Sequence, residues 1–490
     1  MIPFTAWLPD IAPFQSAASS DVINVVPSTT GFRPFASLVT ISGATTARVQ
    51  GAYSARDITG TIHNFCGDAT KLYKLSADGL TWNDVTRLAG GAYATAADSW
   101  WDFALFGQNV IATNGFDAVQ VYSLAALTNF AALAGTPPVS SFTGTVRDFA
   151  ILARKSGQWN RITWSAINNS ADWVQSSTTM SDFQDFPDGG AIMGFVGGEY
   201  GLVFLERRVY RMAFAGPPII FRFDQLSNSL GCRVERSIAS YSDLAFFLSN
   251  DGFMMIRGGT EIVPIGNDKV DRTFETLFNS SIPQYCSASI DPIRKLYLFA
   301  FPSNNSSSTP DTIYCYHWPT GQWSKAAVTT ELIYTAATQS GYTLDTLDTL
   351  SGSLDALPYS LDSKFYSGSG RLLLAGFDTT HKQGYFSGAN LAATVETGDS
   401  QLTVGRKTLL KGLRPMLEGS AVTPSILIKS RDNLTDSYTS STAVPINSRG
   451  YCPLRVNARF HRAQMTIPAS TSWTFAQGID DLKFSPMGAR

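Results

Sequence analysis

The side chains able to do acid-base or nucleophilic chemistry are few and scattered. Four histidines occur, His63, His317, His381 and His461, well apart in sequence. An imidazole serves as a base only beside a nucleophile or an orienting carboxylate, and none of the four sits in such a motif. His317, between Tyr316 and Trp318, reads as a packed ring. No His is followed by Glu, no Gly-Lys dipeptide occurs and no Gly-x-Ser-x-Gly is present. Those absences remove the zincin helix, the phosphate-cradling loop and the serine nucleophile elbow.

Ser76-Ala77-Asp78-Gly79-Leu80-Thr81-Trp82 approaches the Asp-box turn of sialidase-like propellers, one residue short between Asp and Gly. In such a turn the carboxylate accepts backbone N–H groups, so the expected role is to hold a hairpin. The adjacent acids Asp480 and Asp481 could serve glycoside hydrolysis only across a cleft, and solvation is the default. The cations of Glu206-Arg207-Arg208 and of Arg455, Arg459 and Arg462 are too sparse to track a phosphate backbone. Charge-assisted contacts between subunits are their expected use. The tract Thr343-Leu344-Asp345-Thr346-Leu347-Asp348-Thr349-Leu350, continued by Leu354 to Asp362, lacks the Gly and Glu of a calcium loop. It reads as a loop whose leucines dock while its aspartates stay in water. Cys66, Cys232, Cys286, Cys315 and Cys452 form no close pair, so neither a disulfide framework nor a zinc site is expected. No catalytic, cofactor-binding or metal-binding set is therefore assigned, and the chain reads as a non-enzyme.

The elements that would carry any site are β-strands. Charged residues make up 16% of the 490 residues and aromatics 12%, against about 25% charged in an average soluble protein. Branched and aromatic side chains suit a pleated surface, and small polar residues suit its turns. The net charge of −2, with 37 Lys and Arg against 39 Asp and Glu, argues against a nucleic-acid-gripping domain. The opening Met1 to Trp7 lacks a signal-peptide pattern, and no apolar stretch approaches membrane-spanning length.

A repeat organises the strands. An apolar run, a turn and an aromatic-bearing strand recur at Ala104–Asn114 with Val119–Tyr122, Phe149–Leu152 with Arg161–Trp164, and Gly201–Phe204 with Val209–Met212. Two more copies are Leu244–Phe247 with Phe253–Ile256, and Leu296–Phe299 with Ile313–Tyr316. Their spacing of about 40 to 50 residues is that of four-stranded propeller blades. An outer hairpin is expected from Tyr73 to Trp82, Tyr122 to Phe130, Trp164 to Trp173 and Tyr314 to Trp323. The reading is an all-β chain: an N-terminal lead-in (1–40), a β-propeller of six or seven blades (41–390) with the N-terminal strand possibly closing the ring, and a small C-terminal β-domain (391–490). A β-sandwich is the competing architecture.

Three stretches resemble the tail nozzle or hub proteins of short-tailed bacteriophages, the group also described as packaged-DNA stabilisation or tail-tube proteins. They are Trp7-Leu8-Pro9-Asp10 with Asp21–Pro27 and Gly31–Phe35; Asp355–Ser363 with Leu372–Phe377; and Ala458–Pro468 with Trp473 and Ala476–Asp480. The resemblance implies a structural virion protein, assembled in the bacterial host cytoplasm into the viral tail. It implies a homo-oligomeric, commonly hexameric, ring beneath the portal and adaptor proteins, meeting spike, needle or fibre proteins at its far end. Such a ring retains the genome and then conducts double-stranded DNA during ejection, without cofactor or membrane insertion. Its bore is expected to be polar and neutral or acidic, since a repeated Lys/Arg stripe would arrest a moving duplex. The alternative is a receptor-binding, lectin-like propeller or a glycan hydrolase, in which Trp100, Trp101 and Trp159 would stack on sugars.

Overall fold

The computed structural model describes residues 1–12, 14, 16–126, 128–338, 347–349, 351–357, 361, 366 and 370–488. The chain is all-β, and its central body is a β-propeller. Seven antiparallel sheets of four strands follow one another, with inner strands beginning at Gly51, Asp102, Ser140, Ile192, Ala239, Ser287 and Leu332. Consecutive inner strands lie side by side, blade four meeting blade five through the turn Glu235–Ser237, and the last, Leu332–Ala337, returns to the first, Gly51–Arg56. The ring is thereby closed, and the two-sheet alternative across residues 100–325 gives way to five separate blades. The only α-helix among the described residues is Asp271–Leu277.

Blade six shows why these sequences stack radially. Its second strand, Leu296–Phe301, is buried at every position. Side chains alternate across a strand. Leu296, Leu298 and Ala300 therefore join a cluster with Ile333, Leu374 and Phe386 of blade seven. Tyr297, Phe299 and Phe301 join Phe246 and Phe253 of blade five on the opposite side. A strand covered on both faces needs continuous apolar sequence, which is what the recurring runs supply.

The repeats are the second and third strands of blades two to six. The outer hairpins hold for blades one and six, where Leu75 pairs with Trp82 and Tyr316 with Trp323. In blade two Phe130 precedes the outer strand Ala131–Ala132. Blade three departs: its outer strand is Asp182–Asp185, while Trp173 lies in the connection before it, donating Nε1–H to the Ser170 carbonyl at 2.8 Å.

Blade seven is assembled from distant pieces. Leu332–Ala337, Leu372–Phe377 and Lys382–Asn390 are completed by Ala36–Ala44, which pairs antiparallel with Lys382–Asn390. This strand crosses the boundary placed at residues 40 and 41. The strands before it do not form a separate lead-in; Asp21–Ile23 pairs with Ala393–Glu396, and Gly31–Pro34 meets Trp473–Pro486. They thus complete two six-stranded sheets that make up the second body. Burial alternates along Ser425–Arg431 and Phe460–Ile467, as in sheets with one covered face. Ile426, Met465, Leu410 and Ile479 from the two sheets share one core, which is continuous with that of blades five and six.

Residues 1–44 act as the clasp between the bodies. Trp7 is buried edge-on against Tyr314 with ring centroids 5.4 Å apart. Asp10 accepts the Arg272 and Thr273 backbone N–H groups at 2.8 and 2.9 Å, capping the helix Asp271–Leu277 from afar. Asn24, at φ +59°, donates its backbone N–H to the Lys325 carbonyl and accepts the Ala327 N–H, both at 2.8 Å. Asn tolerates this left-handed conformation better than branched residues do. Of the Leu-Asp tract, residues 343–346, 350, 358–360 and 362 lie outside the described residues. Leu347 is buried in the propeller and Asp348 exposed, whereas Leu354 and Leu361 are exposed.

Candidate binding site at the propeller axis

The residues just ahead of each inner strand gather where the strands enter the ring. There Arg48 precedes blade one, Trp100 blade two, Glu235 and Arg236 blade five, and Gln284 and Tyr285 blade six. The lumen of the propeller, about 660 Å³, is lined by all seven inner strands, mostly through Ser, Thr, Gly and aromatic residues such as Thr143, Ser289 and Thr335. Its charged residues are Asp102, Glu235 and Arg236. Arg236 and Glu235 also line a cavity of about 580 Å³ beside the axis, walled by Trp100, Phe142, Met193 and Pro283. Phe116 and Trp159 stand on it with 57% and 54% of their surfaces exposed.

The cations of this mouth are held by ring faces. Trp100 fixes its own orientation by donating Nε1–H to the Gln284 carbonyl at 2.8 Å. The Arg236 guanidinium lies 4.5 Å from its ring centroid, and that of Arg48 lies 5.4 Å away. Arg48 also covers Tyr285 at 4.7 Å. Arg154 lies over Trp159 at 5.3 Å and pairs with Glu235. Arg233 pairs with Glu275 at 2.5 Å.

Arg236 differs in its pairing, since Arg48, Arg154 and Arg233 each have an acceptor. Among the described residues its guanidinium has neither a hydrogen bond nor an ion pair, and its buried Nε–H finds no acceptor. Burial lowers its proton affinity, while the carboxylates of Asp102 and Glu235 oppose that and Arg48 adds to it. Arg48 Nη1 and Arg154 Nε are also buried without acceptors. Asp102, pushed upward by burial, spends an oxygen on the Thr143 N–H at 2.8 Å.

A second, more open crevice of about 700 Å³ separates blade six from the β-domain. Its lining includes Arg33, Arg294, Lys295 and His317, with no carboxylate. Burial lowers the His317 pKa, and Lys295 and Arg33 lower it further, so the ring is neutral at pH 7. Arg33 and Lys295 are exposed, which makes this a solvated basic face.

The residues singled out by sequence do not converge. His63 faces Asp57 at 3.1 Å, His317 faces Thr320 at 2.7 Å, His381 faces Glu331 at 2.8 Å, and His461 is buried. Asp78 accepts the Leu80 N–H at 3.0 Å in a hairpin turn with Gly79 at φ +73°, so its role is structural. Asp481 lies 3.9 Å from Arg414 on the strand Trp473–Pro486. Arg208 reaches Asp188 at 3.5 Å, and Arg207 is exposed. Arg462 is held within the β-domain on Glu396 at 2.9 Å and Asp399 at 3.1 Å. Trp100 and Trp101 are core residues, and Trp159 alone of the three is exposed. The five cysteines are free and buried. Among the described residues no group of three or more His, Cys, Asp or Glu could hold a metal ion, and no helix is long and apolar enough to cross a membrane.

Arg48, Arg154 and Arg236 are not singled out by sequence because they are more than 50 residues apart and belong to no common motif. The usable signal is positional: once the blades are phased, residues just ahead of inner strands share one end of the axis.

No family model and no curated protein sequence matches the chain. Solved propeller structures do. The chain is similar to YCF48 bound to D1 peptide (9% identity, TM-score 0.39, covering 74% of this chain and 98% of that one). It is also similar to the extracellular domain of BT4673 from B. thetaiotaomicron (11%, TM-score 0.41, 85% and 48%). A third similar structure is a chain of the mitotic checkpoint complex (8%, TM-score 0.38, 74% and 97%).

Proposed function

We propose that this chain is a structural virion protein, the ring-forming nozzle or hub of a short-tailed phage tail, and not an enzyme. In this role a homo-oligomeric ring joins the portal and adaptor proteins to distal fibres, spike or needle, retaining the genome and then conducting it. The observation that carries the reading is the clasp of residues 1–44. Trp7, Asp10 and Asn24, which stand in the stretches resembling the nozzle proteins, are the anchors that bolt the β-domain to blades five and six. A propeller and a second body with one continuous core behave as a single stiff part, which suits a conduit under load better than a hinged binding module. The ring's bore, distinct from the lumen of each propeller, is neutral or acidic in this reading.

The test is the mass and image of the purified full chain. A closed ring with an open axis is expected by analytical ultracentrifugation and electron microscopy. A strict monomer at high micromolar concentration, or turnover of host polysaccharide, esters or nucleotides that disappears on replacing one carboxylate, refutes the proposal.

A further inference from the structure

The axial mouth carries a guanidinium made ready for a ligand. We propose that this cavity binds an acidic peptide segment of a partner protein, seating one carboxylate on Arg236 and an adjoining apolar or aromatic side chain against Trp159 and Phe116. The site lies within a single propeller, so it stands or falls independently of ring formation.

Charge and pairing select the ligand class. A buried polar group without a partner is costly, and a charge-assisted bond to a carboxylate recovers that cost. The Nε–H of Arg236 is such a group, and the residue is pre-oriented on Trp100 and lines both the lumen and the side cavity. Three arginines and two carboxylates, Asp98 and Glu235, line the mouth, so it is cationic on balance. Arg154 and Arg233 are already paired with Glu235 and Glu275. One fully available guanidinium fits one carboxylate; a phosphate backbone needs a row of cations. Of the two carboxylates Glu235 is occupied by Arg154, and Met193, Phe142 and Pro283 supply apolar wall for the adjoining side chain. A half-buried arginine beside exposed aromatic surface is the composition of a protein-recognition hot spot. The volume of about 580 Å³ is within the range of ligand-sized pockets and holds a short run of side chains.

The experiment titrates the full chain with the blocked peptide Glu-Phe-Glu-Phe-Glu, its Gln-Phe-Gln-Phe-Gln counterpart, and hyaluronan hexasaccharide as a carboxylated glycan. Calorimetry should detect the acidic peptide, with the amide version at least about tenfold weaker, since a charged hydrogen bond is worth roughly that factor or more. Arg236→Gln should weaken the acidic peptide by about tenfold to a hundredfold at an unchanged or higher melting temperature. Trp159→Ala, at an exposed position, should weaken it without altering the fold, and Arg33→Gln in the other basic crevice should leave it unchanged. Equal affinity for both peptides, undiminished binding by folded Arg236→Gln and Trp159→Ala, no peptide binding at millimolar concentration, or preference for hyaluronan overturns the proposal.

Discussion

The molecule holds two clusters of arginine built on opposite plans. In the β-domain, Arg462 spans Glu396 and Asp399, Arg431 pairs with Asp399, Lys429 reaches Glu396 at 2.5 Å, and Tyr438 donates its hydroxyl to Asp399 at 2.9 Å. Ser20, ahead of the strand Asp21–Ile23, adds a hydroxyl donated to Glu396 at 2.9 Å. At the propeller axis, Arg48 and Arg236 share one indole and Arg236 has no counter-ion within contact. Every cation of the first cluster is ion-paired, although Arg431 Nε lacks an acceptor; in the second Arg236 has no ion pair. Burying a charge costs several kcal/mol unless it is paired. A closed network is therefore cement, and an open one is a receptor held at some expense of stability.

Removing one member of the closed network should have the largest effect. Arg462→Met leaves Glu396 and Asp399 buried with less counter-charge and should lose about 3–5 kcal/mol in urea unfolding. Arg236→Met removes an unpaired charge and should change stability by less than about 1 kcal/mol, in the stabilising direction. Equal losses from the two substitutions would erase the distinction between the clusters.

Asp271 is the mirror case, a half-buried acid without a cation. Burial pushes its pKa up to about 6; the Phe253 N–H it accepts at 3.2 Å opposes the shift, and Asp10 and Glu275 add to it. An acid that binds its proton more tightly when folded contributes most to stability below about pH 4, and that contribution is lost as pH rises through about 6. Asp271→Asn should therefore raise stability by about 1 kcal/mol at pH 8, a figure reduced for partial solvent screening, and by little at pH 4. Thermal melts at both values check this, and an equal gain at each would show that charge is not the cause. The smallest effect is expected at Trp159, where Ala should change stability by less than about 0.5 kcal/mol, as for other exposed positions.

The blades were legible because a strand buried on both faces leaves a continuous apolar run, as Leu296–Phe301 does. Trp173 misled because its spacing from Trp164 mimics a hairpin arm, while the outer strand, Asp182–Asp185, is polar except for Phe183 and exposed at Phe183 and Gln184. Blade seven lacked a local pattern, since its strands are interrupted by the Leu-Asp tract and completed by Ala36–Ala44. The mouth was hidden for the same reason at smaller scale: Arg48 and Arg236 meet at Trp100 only after the ring has closed. Internal use of Arg462 was equally invisible, because its acidic partners lie on a neighbouring strand and its connecting loop.

The clasp also sets the order in which the protein can be built. A chain emerging residue by residue exposes Ala36–Ala44 first, but the edge that receives it, Lys382–Asn390, is made only after six blades exist. Asp21–Ile23 waits still longer for Ala393–Glu396, and Gly31–Pro34 for Trp473–Pro486. Long-range pairings of this kind are slow to form and leave strand edges open meanwhile. Blade seven is therefore completed only once Lys382–Asn390 has been made, and the two sheets of the second body only once Ala393–Glu396 and Trp473–Pro486 have followed.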